Sequence, residues 1–444
     1  MEIAKIDFFI IFIYFIAVLF IGFISSRKQT KEGFFIANRA LNFGNLIATI
    51  SASLLGGGVL ITFVAYVYQY GLSGIWFIAG ISIGVLMFLL FYKKLKALSD
   101  KNNFYTLSDY FYHKYGNKLG LLSAVVIFIW AFCLILMQFI AGGKVLSAIL
   151  GTPYASSVLI MGTVVFIYLV LGGFNAVVKT DYFQYGTIVL LAIVILFPLS
   201  QKTSLISGDL QLGEMGVIQS LAFLFIGAFN VVVSADIWQR VYASKNSKHA
   251  KIGIIGSSLL IFFVGLILSI IGLAAKSNYP EIEPDQALVY GISNLLPTGL
   301  LGMGLVMLFS VIMSTLDTML FIVAMNISND ILVRFNSTSK EVSVKSTRFL
   351  ILLLAVIGML IAIFVQDIIS VGFSLTGIGL SLAPVVIASF FKELKIKAAF
   401  LSVLSGLASI CIVLAAGIIG PETSVISLPV SAVFLCIGQF TFKN

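Results

Sequence analysis

The chain has few charged residues and few of the side chains that catalyse reactions or bind transition metals. Only 10% of its 444 residues are Asp, Glu, Lys or Arg, and it has three cysteines and two histidines. Cys133, Cys411 and Cys436 lie far apart, without the close spacing of metal-binding or redox pairs. No phosphate-binding loop of the G-x-x-x-x-G-K type occurs, so ATP hydrolysis by this chain is not expected. These absences argue against an enzyme.

Apolar sequence is abundant instead. Sixty per cent of the residues are apolar and the mean hydropathy is +1.12, values that are typical of membrane proteins. Thirteen apolar runs have the ~17–25 residues that a helix needs to cross a bilayer. The runs cover about 7–26, 42–70, 73–92, 119–149, 153–173, 182–200, 216–238, 252–275, 298–328, 347–365, 368–391, 396–418 and 424–441. We therefore predict an all-α polytopic membrane protein with about thirteen transmembrane helices.

The basic residues predict the orientation in the membrane. With the N-terminus outside, 23 of the 27 lysines and arginines fall on the cytoplasmic side. Those on or near the outer side are Lys5, Lys144, Lys202 and Lys276. Cytoplasmic loops of membrane proteins carry such an excess, so we predict a multi-pass protein of the cell inner (plasma) membrane with a cytoplasmic C-terminus. The net charge of +9 is then a sign of topology and implies no nucleic-acid partner.

Three consecutive glycines interrupt the second apolar run. Gly56, Gly57 and Gly58 disfavour a continuous helix, and unwound backbone at membrane depth persists only where it is buried in protein or lines a cavity. Interrupted spans of this kind mark the binding sites of transporters. Gly227 interrupts the seventh run more mildly. Close helix packing is the alternative explanation for both glycine sites.

Several segments resemble the sodium:solute symporter family. A glycine-rich crossover, Gly172-Gly173-Phe174-Asn175-Ala176, leads to Thr180-Asp181, and Gln239-Arg240-Val241-Tyr242 follows the seventh span. Met313-Ser314-Thr315-Leu316-Asp317 lies in the ninth span. The segment Gln138 to Lys144 is most similar to the pantothenate and proline branches.

This resemblance implies a LeuT-type core of two inverted five-helix repeats in a single transmembrane domain, residues 1–444. The expected parts are an extra N-terminal helix at 7–26, a first repeat at 42–200, a second repeat at 216–391 and two extra helices at 396–441. It also implies sodium as the coupling ion, with a small-molecule solute and the lipid bilayer as the other partners.

The resemblance also implies a principal sodium site. Its expected ligands are the carbonyls of Ala52, Leu55 and Val311 and the hydroxyls of Ser314 and Thr315. Hard cations prefer such oxygen ligands, and the three residues of the ninth span share one helical face. The alternative is that both hydroxyls bond to carbonyls one turn earlier in their own helix.

A second cation or a proton is predicted at Asp181, Ser314, Asp317 and Thr318. Asp317 stands where the family pattern has a serine, and a carboxylate inside a span is costly unless it is paired, protonated or bound to a cation. Asp317 is therefore a cation ligand, a proton carrier or a structural aspartate. Asp181 has an alternative role as a cap at the start of the sixth span.

The solute site is predicted between the two interrupted helices. The expected lining residues are Gly56, Gly57, Gly58, Val59, Thr62, Trp76, Gln138, Phe229 and Asn230. By resemblance, Leu54, Gly58, Val59 and Ile78 replace the polar residues that hold sugars, so a sugar is disfavoured. A compact carboxylated solute suits the positive ends of interrupted helices better.

Two further charged residues lie near this region. Lys144 is either an additional counter-charge for the solute or a lysine that extends to the membrane interface. Asp236 is expected to pair with Arg240, four residues later.

We predict a sodium-coupled secondary symporter that imports an amino acid or a monocarboxylate, such as a proline-like or pantothenate-like solute, by alternating access. A proton-coupled symporter of the same fold and a transporter-like membrane sensor of a solute are the alternatives.

Overall fold

The computed structural model describes residues 4–27, 29–200, 211–295, 300–335 and 342–442. Lys202 and the first residues of the run predicted at 298–328 lie outside these ranges. The described chain is almost entirely helical. Its α-helices are α1 (Lys5–Ser26), α2 (Lys31–Ile36), α3 (Phe43–Leu54), α4 (Gly57–Tyr70), α5 (Ile75–Met87), α6 (Tyr92–Asn102), α7 (Leu107–Leu150), α8 (Tyr154–Ser200), α9 (Val217–Val233), α10 (Ala235–Ala243), α11 (Ser247–Asn278), α12 (Ala287–Leu295), α13 (Leu300–Met325), α14 (Val333–Phe335), α15 (Val344–Phe364), α16 (Ile368–Phe391), α17 (Ile396–Ala415), α18 (Pro421–Val425) and α19 (Ser427–Thr441).

Within the described ranges, ten helices are long and apolar enough to cross a membrane, or eleven if the bent pair α9 and α10 counts as one span. This number is lower than thirteen partly because two long helical stretches, Gly57–Leu90 and Tyr154–Leu190, each count once. Each stretch contains a glycine of positive φ, Gly71 at 60° and Gly173 at 54°. The count of thirteen spans and the outer position of the N-terminus stay predictions.

Helix α13 forms the centre of the bundle. Its most apolar stretch, within Leu301–Leu332, is completely buried, whereas that of α1 is only 28% buried. Phe12 and Phe20 of α1 and Phe349 of α15 are exposed on the outside of the bundle, as expected for helices that face lipid. A polar residue on α13 is therefore surrounded by other helices.

The second apolar run is interrupted, but over a shorter stretch than the three glycines suggest. Helix α3 ends at Leu54 and α4 begins at Gly57, so only Leu55 and Gly56 are non-helical. Gly57 and Gly58 belong to the first turn of α4. The predicted interruption is therefore present, and it begins one residue before the glycines.

The seventh run is interrupted at a different residue from the one predicted. Helix α9 continues through Gly227 to Val233, and the chain bends by 48° before α10. A Cβ atom at Gly227 would lie 2.4 Å from the carbonyl oxygen of Phe77, so this glycine permits close packing of α9 on α5. The break is at Ser234, whose φ of −68° and ψ of 101° are extended.

Gly173 produces the crossover predicted between the fifth and sixth spans. Its φ of 54° and ψ of −148° interrupt the helical geometry inside α8, a conformation that residues with a Cβ rarely adopt. A Cβ there would also lie 2.5 Å from the ring of Phe34. The change of direction at Gly173 precedes Thr180 and Asp181, which are both fully buried.

Candidate functional site

The interrupted helix α3 and the central helix α13 meet through two hydroxyl groups. Ser314 Oγ donates to the Ala52 carbonyl at 2.8 Å, and Thr315 Oγ1 donates to the Ser53 carbonyl at 2.8 Å. Because α3 ends here, neither carbonyl accepts a backbone N–H from a described residue. Five oxygen atoms therefore come together when the Val311 carbonyl, 3.2 Å from Ser314 Oγ, is included.

Glycine allows the close approach of these two helices. A Cβ at Gly56 would lie 2.1 Å from Thr315 Oγ1, and one at Gly57 would lie 2.0 Å from Ile312 Cγ1. Leu55 is fully buried at the break, where its N–H donates to the Ser51 carbonyl at 3.0 Å. The helices can thus face each other with their backbones almost in contact.

The hydroxyls do not simply bond within their own helix. Ser314 does contact the Val311 carbonyl one turn earlier, but both hydroxyls also reach across to α3. Ser53 was not among the predicted ligands, although its carbonyl lies as close to α13 as that of Ala52 does. The sequence gives no signal for it beyond its position two residues before the break.

A fully buried arginine lies beside this cluster. Arg240 donates through Nη1 to Asp236 Oδ2 and through Nη2 to Asp181 Oδ2, both at 3.2 Å. Its Nη2 also donates to Thr318 Oγ1 at 3.0 Å and its Nε to Thr49 Oγ1 at 2.9 Å. The guanidinium thus joins α3, α8, α10 and α13. The predicted pairing of Asp236 with Arg240 is confirmed.

Asp236 connects the arginine to the broken helix. Its Oδ2 accepts from Ser53 Oγ at 2.8 Å, and its Oδ1 accepts from Ser234 Oγ at the α9–α10 bend. Thr49 also donates to Asp181. Both breaks therefore belong to one buried hydrogen-bond network.

Asp317 is completely buried, and the hydrogen bonds of Arg240 go to other residues. Tyr168 Oη donates to its Oδ2 at 2.7 Å, and Thr180 Oγ1 lies 3.4 Å from the same atom. Its Oδ1 makes no hydrogen bond to a described residue, and the same is true of Asp181 Oδ1. In the described part of the chain, the buried carboxyls of Asp181, Asp236 and Asp317 are accompanied by one guanidinium.

A cavity of about 100 Å³ adjoins the cluster. It lies between both interrupted helices and α5, α7, α13 and α16. Thr315 lines it, so one residue belongs to the oxygen cluster and to the cavity. The aromatic residues in its wall are Tyr66, Phe77, Trp130 and Phe373.

Three of the predicted solute-site residues line this cavity, namely Val59, Thr62 and Asn230. Asn230 accepts from Trp130 Nε1 at 3.2 Å. Gly56, Gly57 and Gly58 lie behind the wall, against α13 and α7. Gln138 is buried behind Gly58, whose N–H it accepts at 3.1 Å. It therefore supports α4 from behind.

Trp76 and Phe229 are outside the cavity wall. The indole of Trp76 donates to the Leu212 carbonyl at 3.0 Å, and Phe229 packs edge-to-face on Phe225 at 5.7 Å between ring centroids. The wall instead includes Tyr66 and Trp130, which no sequence signal indicates. An aromatic residue in an apolar helix carries no sign of which face it occupies.

Lys144 forms a salt bridge near the predicted outer surface. Its Nζ lies 2.8 Å from Asp285 Oδ2, and 40% of its side chain is exposed. Asp285 belongs to a short 3-10 turn, Pro284–Gln286, just before α12. Lys144 is therefore held by a partner in the loop that follows α11.

Comparisons with known proteins agree with this architecture. A model of the "Sodium:solute symporter family" matches residues 34–406. The sodium/pantothenate symporter of Haemophilus influenzae is 28% identical over 317 residues, which are 66% of this chain and 65%, just under two thirds, of that relative. The osmoregulated proline transporter OpuE of Bacillus subtilis is 26% identical over 440 residues, 91% of this chain and 88% of OpuE.

Solved structures share the fold. A Na⁺-coupled sialic acid symporter in a substrate-bound outward-open state superposes with a TM-score of 0.83 at 17% identity, over 100% of this chain and 99% of that one. Mhp1, a nucleobase-cation-symport-1 family transporter, gives a TM-score of 0.59 at 11% identity, over 94% and 98% of the two chains. The predicted LeuT-type fold is confirmed.

The family match covers most of the chain, and the relatives are transporters rather than enzymes. The chain is thus a multi-pass membrane transporter and belongs to the sodium:solute symporter family.

Proposed function

We propose that this transporter couples the inward movement of sodium to the uptake of a compact organic solute that carries a carboxylate. The observation that supports the proposal is the shared position of Thr315, whose hydroxyl belongs to the oxygen cluster and also lines the cavity. An ion held by Thr315 would lie next to the solute. Each ligand would then stabilise the binding of the other, which is the basis of coupled transport.

The principal sodium site is proposed at Ala52, Leu55, Val311, Ser314 and Thr315, with the Ser53 carbonyl as an additional neighbour. Hard cations bind carbonyl and hydroxyl oxygens. The hydroxyls of Ser314 and Thr315 lie 2.8 Å from the carbonyls of Ala52 and Ser53, so a small rotation of each hydroxyl would direct all four oxygens toward one ion. The interruption of α3 supplies the carbonyls that a continuous helix would use for its own hydrogen bonds.

A second positive charge, either a cation or a proton, is proposed at Asp317. Three buried carboxyls and one guanidinium leave a formal excess of two negative charges in low dielectric, which is costly. Arg240 already binds Asp181 and Thr318, two of the four residues predicted for the second site. We therefore place the additional positive charge at the Asp317 carboxyl, which Tyr168 and Thr180 contact.

The solute is proposed to be a small carboxylate rather than a sugar. No charged side chain is among the described residues that line the cavity. Its polar groups are a few hydroxyls, the Asn230 amide and the indole of Trp130. Val59 lies in the first turn of α4, where free N–H groups and the helix dipole favour an anion. Sodium at Thr315 would supply the neighbouring positive charge.

The relatives support this choice of chemistry. Their names specify proline and pantothenate. Each of these solutes has one carboxylate. The aromatic wall formed by Tyr66, Trp130 and Phe373 suits a compact apolar body.

Uptake by the purified transporter in proteoliposomes tests the proposal. A panel of labelled amino acids, monocarboxylates and hexoses is offered under an imposed sodium gradient and, separately, under a proton gradient. We expect accumulation of a carboxylated solute that requires the sodium gradient. Accumulation driven by protons alone would contradict sodium coupling. Binding without accumulation under either gradient would indicate a sensor.

A further inference from the structure

A second, smaller cavity lies on the side of the bundle predicted to face the cytoplasm. Thr106 at the start of α7, Gln239 of α10 and Asn326, the first residue of a π-helix after α13, are among the residues around it. The open space at its centre, about 10 Å³, accommodates one occupant the size of a water molecule. We name it the amide cavity after its two carboxamides.

Both carboxamides are almost completely buried, with 1% of each side chain exposed. Gln239 Nε2 donates to the Phe35 carbonyl at 3.1 Å, and Asn326 Nδ2 donates to Asp330 Oδ2 at 3.1 Å. Gln239 Oε1 and Asn326 Oδ1 make no hydrogen bond to a described residue. Because each NH₂ group already faces an acceptor, turning either amide over would bring two oxygens together.

The two unpaired oxygens are acceptors on residues that line the cavity, so an occupant that contacts them must be a hydrogen-bond donor or a cation. The surrounding charge favours a cation. Asp330 is fully buried, and its carboxyl is contacted only by the neutral donors Thr106, Asn329 and Asn326 among the described residues. Arg334 donates to Asp109 at 2.8 Å and interacts with Asp330 at longer range, so the two carboxyls share one guanidinium. A negative group in low dielectric attracts positive charge strongly.

The amide cavity lies in line with the principal site along α13. Asn326 follows Ser314 by twelve residues, which corresponds to roughly 18 Å of helix. The helix changes there to a π-helix, Asn326–Leu332, a feature often found at functional sites. Gln239 and Arg240 are adjacent on α10, so one short helix faces both regions.

We propose that the amide cavity is a sodium site on the route from Ser314 and Thr315 to the cytoplasm. Gln239 Oε1 and Asn326 Oδ1 supply two hard oxygen ligands, and the Asp330 carboxyl, which holds Asn326 in place, supplies the attractive field. The choice of sodium rests on the proposed sodium coupling. The site differs from the principal and second sites in its residues and in its position along α13.

Equilibrium binding of ²²Na⁺ to the purified full-length protein in nanodiscs tests this proposal. Ser314→Ala/Thr315→Ala serves as the background, since it removes the principal ligands. Gln239→Met is then added, because it keeps the length of the side chain and removes the oxygen. Gln439→Met is the matched control: this glutamine lies in α19 and also has a buried amide atom without a partner.

We expect binding to remain in the background variant and to fall by one ion per protein when Gln239→Met is added, but not when Gln439→Met is added. Gln239→Glu, which retains an oxygen and adds negative charge, should keep this ion. Equal binding in the Gln239→Met and Gln439→Met variants would overturn the proposal, because the occupant would then be water. Loss of the ion in Gln239→Glu as well as in Gln239→Met would overturn it too, because the glutamine would then be merely structural.

The principal site is tested separately in the same series. Equal sodium binding by the wild type and the Ser314→Ala/Thr315→Ala variant would refute the principal site. The amide cavity would then still be tested by the difference in bound sodium between the Gln239→Met and Gln439→Met variants.

Discussion

Gly56→Ala should separate the two helices that form the principal sodium site. The new methyl carbon would lie 2.1 Å from Thr315 Oγ1 and 2.7 Å from Thr315 Cβ. An ordinary carbon–oxygen contact is about 3.3 Å, so α4 and α13 must move apart by about 1.2 Å. Thr315 has little freedom to turn away, because β-branched side chains are restricted at χ1 and its hydroxyl is bonded to the Ser53 carbonyl.

This movement is large on the scale of an ion site. Hard cations are held at distances of ~2.0–2.6 Å, so a separation of about 1.2 Å removes at least one carbonyl from the ligand set. Overpacking a well-packed interior costs ~1–3 kcal/mol. If the whole of this free energy weakens sodium binding, the half-saturating sodium concentration rises about 5- to 150-fold, since each 1.4 kcal/mol corresponds to a factor of ten.

The assay is the sodium dependence of solute uptake in proteoliposomes, with Gly44→Ala as the matched control. Gly44 lies in the same interrupted helix, α3, but a Cβ there would meet only Asn42 Oδ1, at 3.4 Å. The control should behave as the wild type. A Gly56→Ala protein that is folded and has unchanged sodium dependence would refute the argument that glycine is needed for the contact between α3–α4 and α13.

Three further predictions concern the second charge, the arginine and the solute. Asp317→Asn keeps the acceptor for Tyr168 but removes the negative charge. The variant should move less charge per solute if Asp317 binds a cation, and its uptake should lose its pH dependence if Asp317 carries a proton. No change in either measurement would show that Asp317 is structural. Arg240→Gln leaves two buried carboxylates without their partner and should destabilise the protein by ~3–5 kcal/mol. The thermal unfolding midpoint should fall, and Arg240→Lys should partly restore it. An unchanged midpoint would exclude an ion-pair role for Arg240. The purified protein should bind a carboxylated solute but show no detectable binding of labelled glucose, since Val59 and Leu54 offer a hexose no side-chain hydrogen bonds. Tight sodium-dependent glucose binding would contradict the proposed solute.

The polar residues on α13 were predictable because so few polar groups occur in an apolar chain. Ser314, Thr315 and Asp317 interrupt a run that is otherwise suited to lipid or to a dry core, and such residues inside a span have functional roles by default. The position of the first break was predictable for a similar reason, since three glycines weaken a helix. The resemblance to a family then supplied Ala52 as the partner of Ser314, but it supplied neither Ser53 for Thr315 nor Tyr168 for Asp317.

The identity of the contacts could not be predicted from the same signals. Glycine weakens a helix and also permits close packing, so the sequence left both explanations open at Gly227, which packs against α5. The break occurs at Ser234, where no glycine or proline marks it. Arg240 belongs to a recognised motif, but its bond to Asp181 joins residues 59 positions apart, and only the folded bundle shows that contact.

The cavity wall was the least predictable part of the site. Trp76 and Trp130 both lie in apolar helices, yet one donates to a loop carbonyl and the other donates to Asn230 in the wall. Which face of a helix lines a cavity depends on helix rotation, and a helix that is apolar all round gives no amphipathic pattern from which to infer it.

The sodium dependence of uptake by Ser314→Ala/Thr315→Ala tests the central claim most directly. The control is Ser257→Ala/Ser269→Ala, which removes two buried hydroxyls of α11 that bond to carbonyls one turn earlier in the same helix. We expect a half-saturating sodium concentration at least tenfold above that of the wild type for the first variant, with no change for the control. Equal sodium dependence in a folded Ser314→Ala/Thr315→Ala protein would contradict a sodium site between the broken helix and α13.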